Sequence, residues 1–262
     1  MSGERVAVVS GAARGIGAAV VAGLADQGWR VVATDVCRDL PGVDYPLGTR
    51  AQLRELADRW PGAVRDVVAD VRDPAALAEA VGLAEREFGG LDAAVAAAAV
   101  IAGGRPLWES DGTEWDTLFG IGVHGVANLA RAAVPALLRR PPPRSGRFVA
   151  LASAAGHRGL WQLAGYTAAK HAVVGLVRGL AADLRGTGVT ATAVSPGSTR
   201  TEMLAASAAL YDLPDVSAFA RHQLVDRLLE PVEVAAAVCW LCGVGSSAVT
   251  GSVLHADGGF VG

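Results

Sequence analysis

Lysine occurs once in this chain, at position 170, and asparagine once, at 128; every other basic side chain is arginine, five histidines aside. The three cysteines, Cys37, Cys239 and Cys242, are too few for a disulfide scaffold. The last two form a C-x-x-C late in the helical pattern "PVEVAAAVCWLC". An activated thiol pair belongs at a helix N-terminus, and no second Cys/His pair has zinc-site spacing, so both read as core and no metal is expected. Aromatic residues make up only 5% of the chain against 52% hydrophobic residues, which implies a close-packed core of Ala, Val and Leu. With 23 basic and 26 acidic residues and no basic helix or arm, nucleic acid is not an expected partner. No uninterrupted apolar run approaches the ~18 residues of a membrane span. No basic-apolar-small signal pattern precedes "RVAVVSG". The expectation is a soluble, cytoplasmic protein without membrane contact.

What is present is a regular alternation. Short strand-like runs, "RVAVVS", "RVVATD", "VRDVVAD", "DAAVAAAA", "RFVALAS", "VTATAVSP" and "SVLHADGG", alternate with helical patterns near 15–27, 49–59, 74–88, 163–185 and 231–242. Such alternation argues for an α/β fold with a doubly wound, seven-stranded parallel sheet and helices on both faces. "RRPPPRSG" at 139–146 is a surface turn, because a strand pattern resumes at once. Residues 1–262 are therefore expected to form a single Rossmann-type domain. Its cofactor half runs to about 145, its catalytic and substrate half from 146, and a lid covers about 198–229.

One segment resists this pattern. "FGIGVHG", 119–125, puts three glycines into a helical stretch, where each should cost about 1 kcal/mol relative to alanine. Thr113 with Asp116 three residues on resembles a capping box opening that helix.

Two clusters carry chemistry. The first strand ends in "SGAARGIG", where Gly11, Gly15 and Gly17 allow a sharp turn and close approach of a pyrophosphate to a helix N-terminus. Asp35 closes the second strand, where an acid accepts the adenosine ribose hydroxyls and repels the extra phosphate of NADP. Arg14 and Arg38 lie nearby and argue the opposite way, but the balance favours NAD. In the second cluster Ser153 follows a strand, and "YTAAK" sets Tyr166 and Lys170 four apart on one helix face. There an ammonium favours tyrosinate, lowering a phenol pKa otherwise near 10. A serine hydroxyl steadies the substrate oxygen. Together these groups suit removal of an alcohol proton while hydride leaves for a nicotinamide. The bland alternative, a surface Tyr-Lys pair, asks the chain's lone lysine to fall at this spacing by chance.

In order and spacing, "SGAARGIG", Asp35, "ADVRD", Ser153, "YTAAK", "AVSPGSTRT" and "VTGSVLHADGG" resemble the short-chain dehydrogenase/reductase family over essentially the whole chain. The resemblance implies that Ser153, Tyr166 and Lys170 are catalytic, with Tyr166 and Lys170 also against the cofactor. It places Ile16 at the pyrophosphate, Asp70 and Val71 at the adenine, and Thr199 and Thr201 on the nicotinamide side. Gly11, Arg14, Gly15, Gly17, Asp35, Ala97, Pro196 and Gly197 complete the implied cofactor set. A homotetramer is also implied, with the final strand near a subunit interface.

Two departures stand out. The family's Asn-Asn-Ala-Gly reads here as Ala96 to Ala99, and Gly122 occupies the position of the catalytic asparagine, which anchors a water beside the active-site lysine. Asn128, six residues on, cannot simply substitute. Gly122 is expected to leave room for water near Lys170, or to preserve a helix distortion without a side chain.

A narrower resemblance lies in "DVCRDLPGVDYPLGTRAQLRELAD", which looks like the insertion of the mycofactocin-coupled members of the family. It implies an NAD that does not exchange freely and mycofactocin as external electron carrier. The expected function is an NAD-dependent oxidoreductase interconverting an alcohol and its carbonyl. Two alternatives stay open: the same chemistry with freely exchanging NAD(P), and a non-catalytic dinucleotide-binding subunit. Trp108, Trp161, Tyr211 and Phe219 are candidates for an apolar substrate pocket, each equally open to core packing, and none is assigned to the site.

Overall fold

Alternation along the strands decides how the chain is layered. In β1 (Val6–Ser10) Val6 and Val8 point into one hydrophobic core while Ala7 and Val9 point into another, and all five residues are buried. A strand apolar on both sides needs helices on both sides. The computed structural model describes residues 4–261. β1 is joined by β2 (Arg30–Asp35), β3 (Val64–Val68), β4 (Ala93–Ala96), β5 (Arg147–Leu151), β6 (Thr190–Pro196) and β7 (Val253–Ala256). They form one sheet in the order β3-β2-β1-β4-β5-β6-β7, every pair parallel. The expected doubly wound sheet is present.

On one face lie α1 (Gly15–Asp26), α2 (Arg50–Asp58) and α8 (Pro231–Cys242). The other face carries α3 (Pro74–Phe88), α5 (Gly125–Arg139) and α6 (Ala164–Asp183). Cys239 and Cys242 are buried in the core with α1, and burial pushes the Cys239 thiol up to about 11 and Cys242 higher still. Thiols so disfavoured as thiolates are packing residues, as expected.

Helix α4 (Gly112–Phe119) starts earlier than Thr113 would have it. Its N-cap is Asp111, whose carboxylate accepts from the Glu114 amide at 2.9 Å. Asp is as good a cap as Thr, and the Asp-x-x-Glu spacing competes with Thr-x-x-Asp two residues on. Between α4 and α5 the chain makes one π turn, Gly120–His124, with the Gly125 amide donating to the Gly120 carbonyl.

Only one of the three glycines is required by packing, since a Cβ on Gly120 would meet Arg72 at an ordinary 3.6 Å. A Cβ on Gly125 would sit 2.6 Å from Val71 Cγ2, so close packing requires glycine there. A Cβ on Gly122 would meet only Ala169 Cβ, at 4.0 Å. Gly122 is glycine without being sterically compelled.

The continuous helical stretch Gly112–Arg139 is long and apolar enough by composition to cross a membrane, with 28 residues and an 18-residue window of mean hydropathy 1.3. Its apolar side lies in the core, where Val126, Leu129 and Leu137 pack with Leu77 of α3 and Phe148 of β5, as a core helix does.

Candidate active site

Helices leave β1 and β4 in opposite directions across the sheet, which opens a crevice at the carboxyl ends of those strands. A cavity of about 740 Å³ runs through it. Every residue anticipated for cofactor or catalysis lines it. From the turn after β1 come Gly11, Arg14, Gly15, Ile16 and Gly17; from the ends of β2 and β3 come Asp35, Asp70 and Val71. Ala97 follows β4, Ser153 follows β5, and Tyr166 and Lys170 project from α6. Pro196, Gly197, Thr199 and Thr201 follow β6.

The glycine turn has the tightness a dinucleotide needs. Gly11 has φ +66°, and a Cβ there would lie 2.6 Å from the backbone of Ala98; one on Gly17 would strike the Gly11 carbonyl. Any side chain at either position would collide with neighbouring backbone, so the closeness of the turn itself requires both glycines. Asp35 is 9% exposed; one carboxylate oxygen accepts from the Ala13 amide at 3.0 Å and the other from the Cys37 amide at 3.3 Å. A carboxylate retains further acceptor capacity for ribose hydroxyls. The two arginines are turned to other partners: Arg38 to Asp70 at 3.4 Å, and Arg14 to Glu202 at 4.0 Å with its guanidinium over the Tyr45 ring. Asp70 is also gripped by Arg72 at 2.6 Å, which holds its carboxyl below the usual range.

Two residues that shape the crevice were not singled out from the sequence, although the segment around Asp44 to Thr49, which carries the second, was expected to fold over the dinucleotide. Ser10, the last residue of β1, takes over the tethering that the alanine tract cannot supply. Its hydroxyl accepts from the amides of Ala97 and Ala98 at 3.3 and 3.5 Å. Its place beside the β1/β4 switch was the available signal. The second is Tyr45, within the quoted "YPLGT" run. Its hydroxyl accepts from the Ile101 amide at 3.1 Å, so the loop between β2 and α2 bridges to the loop after β4. Leu40, Tyr45, Leu47 and Gly48 line the cavity, and Asp39 fixes the bend by accepting from the Leu47 amide at 2.8 Å.

At the other end, Ser153 caps a short 3-10 turn, its hydroxyl accepting from the Ala155 amide at 3.1 Å. Behind it, Ser195 donates to the Ser153 carbonyl at 3.2 Å and meets His157 Nε2 at 2.7 Å. Ser153 is near enough to Tyr166 to favour its phenolate. Lys170 Nζ lies 5.7 Å from the Tyr166 ring centroid and donates to the Leu151 carbonyl at 2.9 Å.

Both charged forms are penalised here. Burial pushes the Tyr166 phenol up to about 12 against the pull of Ser153, and takes Lys170 down to about 8. Burial dominates the phenol, with Ser153 the one group pulling the other way, so the expected lowering by the ammonium is not seen.

Trp161, Tyr211 and Phe219 line the cavity, but Trp108 does not: it is 83% exposed on a short turn away from it. Asn128 lies off the site as anticipated, donating to the Val71 carbonyl at 3.0 Å. Among the described residues no group of three or more His, Cys, Asp or Glu side chains could hold a metal ion.

Residues 11–261 match the family model described as enoyl-(acyl carrier protein) reductase. The chain belongs to the short-chain dehydrogenase/reductase family. An uncharacterized NAD-dependent oxidoreductase of Mycobacterium tuberculosis is 34% identical, covering 97% of this chain and 95% of that one. The cis-4-hydroxycyclohexanecarboxylate dehydrogenase of Sinomonas cyclohexanicum is 36% identical, covering 98% and 96%. Among solved structures, the carveol dehydrogenase of Mycobacterium avium in complex with NAD superposes with a TM-score of 0.90 at 32% identity, over 98% of each chain. The family's fold and this chain's crevice agree.

Gly122 is the family departure that the geometry makes testable. Because a Cβ fits, Gly122→Asn should fold with a melting temperature within a few degrees of the parent's, consistent with a substitution that meets no close contact. Turnover should stay within about threefold or rise, because an asparagine restores a polar anchor beside Lys170. A loss of more than tenfold, read by steady-state kinetics, contradicts the view that Gly122 leaves space for water.

Proposed function

We propose that the protein is an NAD-dependent dehydrogenase that interconverts a cyclic alcohol and its ketone. The observation that carries this is the convergence of Ser153, Tyr166 and Lys170 on one cavity whose far end holds Asp35. The alcohols in the names of two relatives, carveol and cis-4-hydroxycyclohexanecarboxylate, are both cyclic. When bound, NAD supplies the acceptor for the carbinol hydride.

Each residue then has a task. Ser153 hydrogen-bonds the substrate oxygen and sets it against Tyr166. Tyr166 takes the hydroxyl proton at its phenolic oxygen. Lys170 favours the phenolate form of Tyr166 that accepts this proton, and contacts the nicotinamide ribose. Gly11, Arg14, Gly15, Ile16 and Gly17 hold the pyrophosphate, and Asp35 the adenosine ribose. Asp70 and Val71 border the adenine; Ala97 lies beneath the dinucleotide; Pro196, Gly197, Thr199 and Thr201 border the nicotinamide. Water in the space beside Gly122 carries the proton onward.

The same reading includes slow cofactor exchange. A loop tied down through Tyr45 to Ile101 must open before a dinucleotide beneath it leaves. Retained NADH is then reoxidised in place by an external carrier, mycofactocin by the resemblance. A homotetramer also belongs to the reading: β7 is an edge strand, and Val232, Trp240 and Val244 on and beside α8 expose apolar surface.

The test uses protein purified without added cofactor. About one NAD per chain should co-purify. Carveol or cis-4-hydroxycyclohexanecarboxylate should produce one burst of NADH absorbance, with sustained turnover only when an artificial dye is added. Tyr45→Phe removes one tether, worth roughly 1 kcal/mol, and should speed NAD exchange about fivefold. Empty sites with steady turnover on free NAD contradict retention, and no NADH from either alcohol contradicts the dehydrogenase reading.

A further inference from the structure

Beyond Ser153 and Tyr166 the cavity continues under α7 (Glu202–Leu210) and the 3-10 turn Val216–His222. Its wall there is aromatic. Trp161 stacks on Tyr211 at 5.8 Å, and Tyr211 meets Phe219 edge-on at 6.3 Å. Phe219 in turn meets the His222 ring at 6.1 Å. This wall suits a ring-shaped apolar body.

The charges along the cavity are unevenly satisfied. Asp70 is held by Arg72, Arg14 faces Glu202, Asp35 is engaged by two amides, and Lys170 donates to a carbonyl. Arg221 differs. Its Nε donates to the Ala218 carbonyl at 3.1 Å, which ties the stem to its own turn and leaves the two terminal nitrogens for another partner. Among the described residues no carboxylate is ion-paired with it. His222, its neighbour in sequence, also lines the cavity. The uncompensated charge at the substrate end is therefore positive, and it sits at the rim of an apolar wall.

We propose that Arg221, with His222 beside it, forms an anion-recognising subsite, and that the substrate is a cyclic alcohol bearing a carboxylate. The carboxylate meets Arg221 at the lid while the carbinol lies at Ser153 and Tyr166. One guanidinium matches one carboxylate by two parallel hydrogen bonds and by charge, whereas a phosphate monoester carries nearly twice the charge of a single arginine. The aromatic wall between the two ends requires the body of the molecule to be apolar. The proposal rests on the dehydrogenase reading above for where the carbinol goes, but the subsite can be measured without turnover.

The probes are cyclohexanecarboxylate and cyclohexanecarboxamide, matched in shape, different in charge, and lacking a hydroxyl to oxidise. Binding to the NAD-loaded protein is followed by calorimetry. The carboxylate should bind at least about tenfold tighter than the amide, the scale of a hydrogen bond to a charged group, and the advantage should shrink as salt is raised. Arg221→Met should bring the ratio of the two affinities to within about threefold of unity, while Arg221→Lys keeps part of the preference. Equal binding of acid and amide, or a preference that survives Arg221→Met, overturns the subsite. NADH formation from cis-4-hydroxycyclohexanecarboxylate is read separately: binding without reduction fails the dehydrogenase reading and leaves the anion subsite standing.

Discussion

Tyr166→Phe is expected to lower kcat for alcohol oxidation by roughly 10²–10⁴-fold, the range spanned by positioned acid–base groups, while NAD still binds. The ring stays, so the packing around it survives. Only the hydroxyl that meets Ser153 is lost. Neither neighbour at the hydroxyl is poised to take the proton in its stead: Lys170 is committed to the Leu151 carbonyl, and Ser153 is a far weaker base. Stopped-flow NADH absorbance together with NAD titration separates chemistry from binding. A variant keeping more than a few per cent of kcat removes Tyr166 from the role of base.

The second large effect concerns the adenosine end. NADP should bind roughly 10²-fold more weakly than NAD, because its extra phosphate meets a buried carboxylate. Two like charges about 4 Å apart in such a setting repel by about 4 kcal/mol before any relaxation. Relief by movement is limited. A Cβ on Gly48 would lie 3.2 Å from Asp35 Oδ1, so the loop already closes tightly on the acid. Asp35→Asn keeps an acceptor for the Ala13 amide while removing the charge, and should strengthen NADP binding about tenfold. Fluorescence titration with both dinucleotides reads the ratio. Equal affinities in the parent protein would mean that Arg14 and Arg38 govern the choice despite their observed partners.

The sheet was legible because its strands are apolar on both faces and separated by amphipathic helices, a pattern local sequence carries well. Tyr166 and Lys170 were legible for a compositional reason: a chain that uses arginine everywhere else placed its single lysine four residues after a tyrosine. The π turn at Gly120–His124 was visible only as an oddity of glycine usage. Its geometry depends on Val71 packing against Gly125 from a different part of the chain, which no helical window contains. Ser10 escaped notice because a strand-end serine is ordinary until the strand beside it is known. Its two amide partners belong to a loop more than eighty residues away. Trp108 misled because an aromatic residue in a candidate pocket region was weighed by type, and its exposure is settled by the path of the loop that carries it. The behaviour of the phenol was misjudged for a related reason: spacing reveals that a cation is near, while the burial that pushes the phenol up is set by the surrounding fold.

The central claim is that one crevice passes the carbinol hydride to NAD while Tyr166 takes the proton. The most direct measurement uses carveol and cis-4-hydroxycyclohexanecarboxylate carrying deuterium on the carbinol carbon, mixed in turn with the NAD-loaded protein, followed by mass spectrometry of the extracted dinucleotide. The account requires a deuterium on the reduced nicotinamide in the parent protein and almost none in Tyr166→Phe over the same interval. A nicotinamide that stays oxidised with both alcohols, or one that is reduced without gaining deuterium, contradicts it.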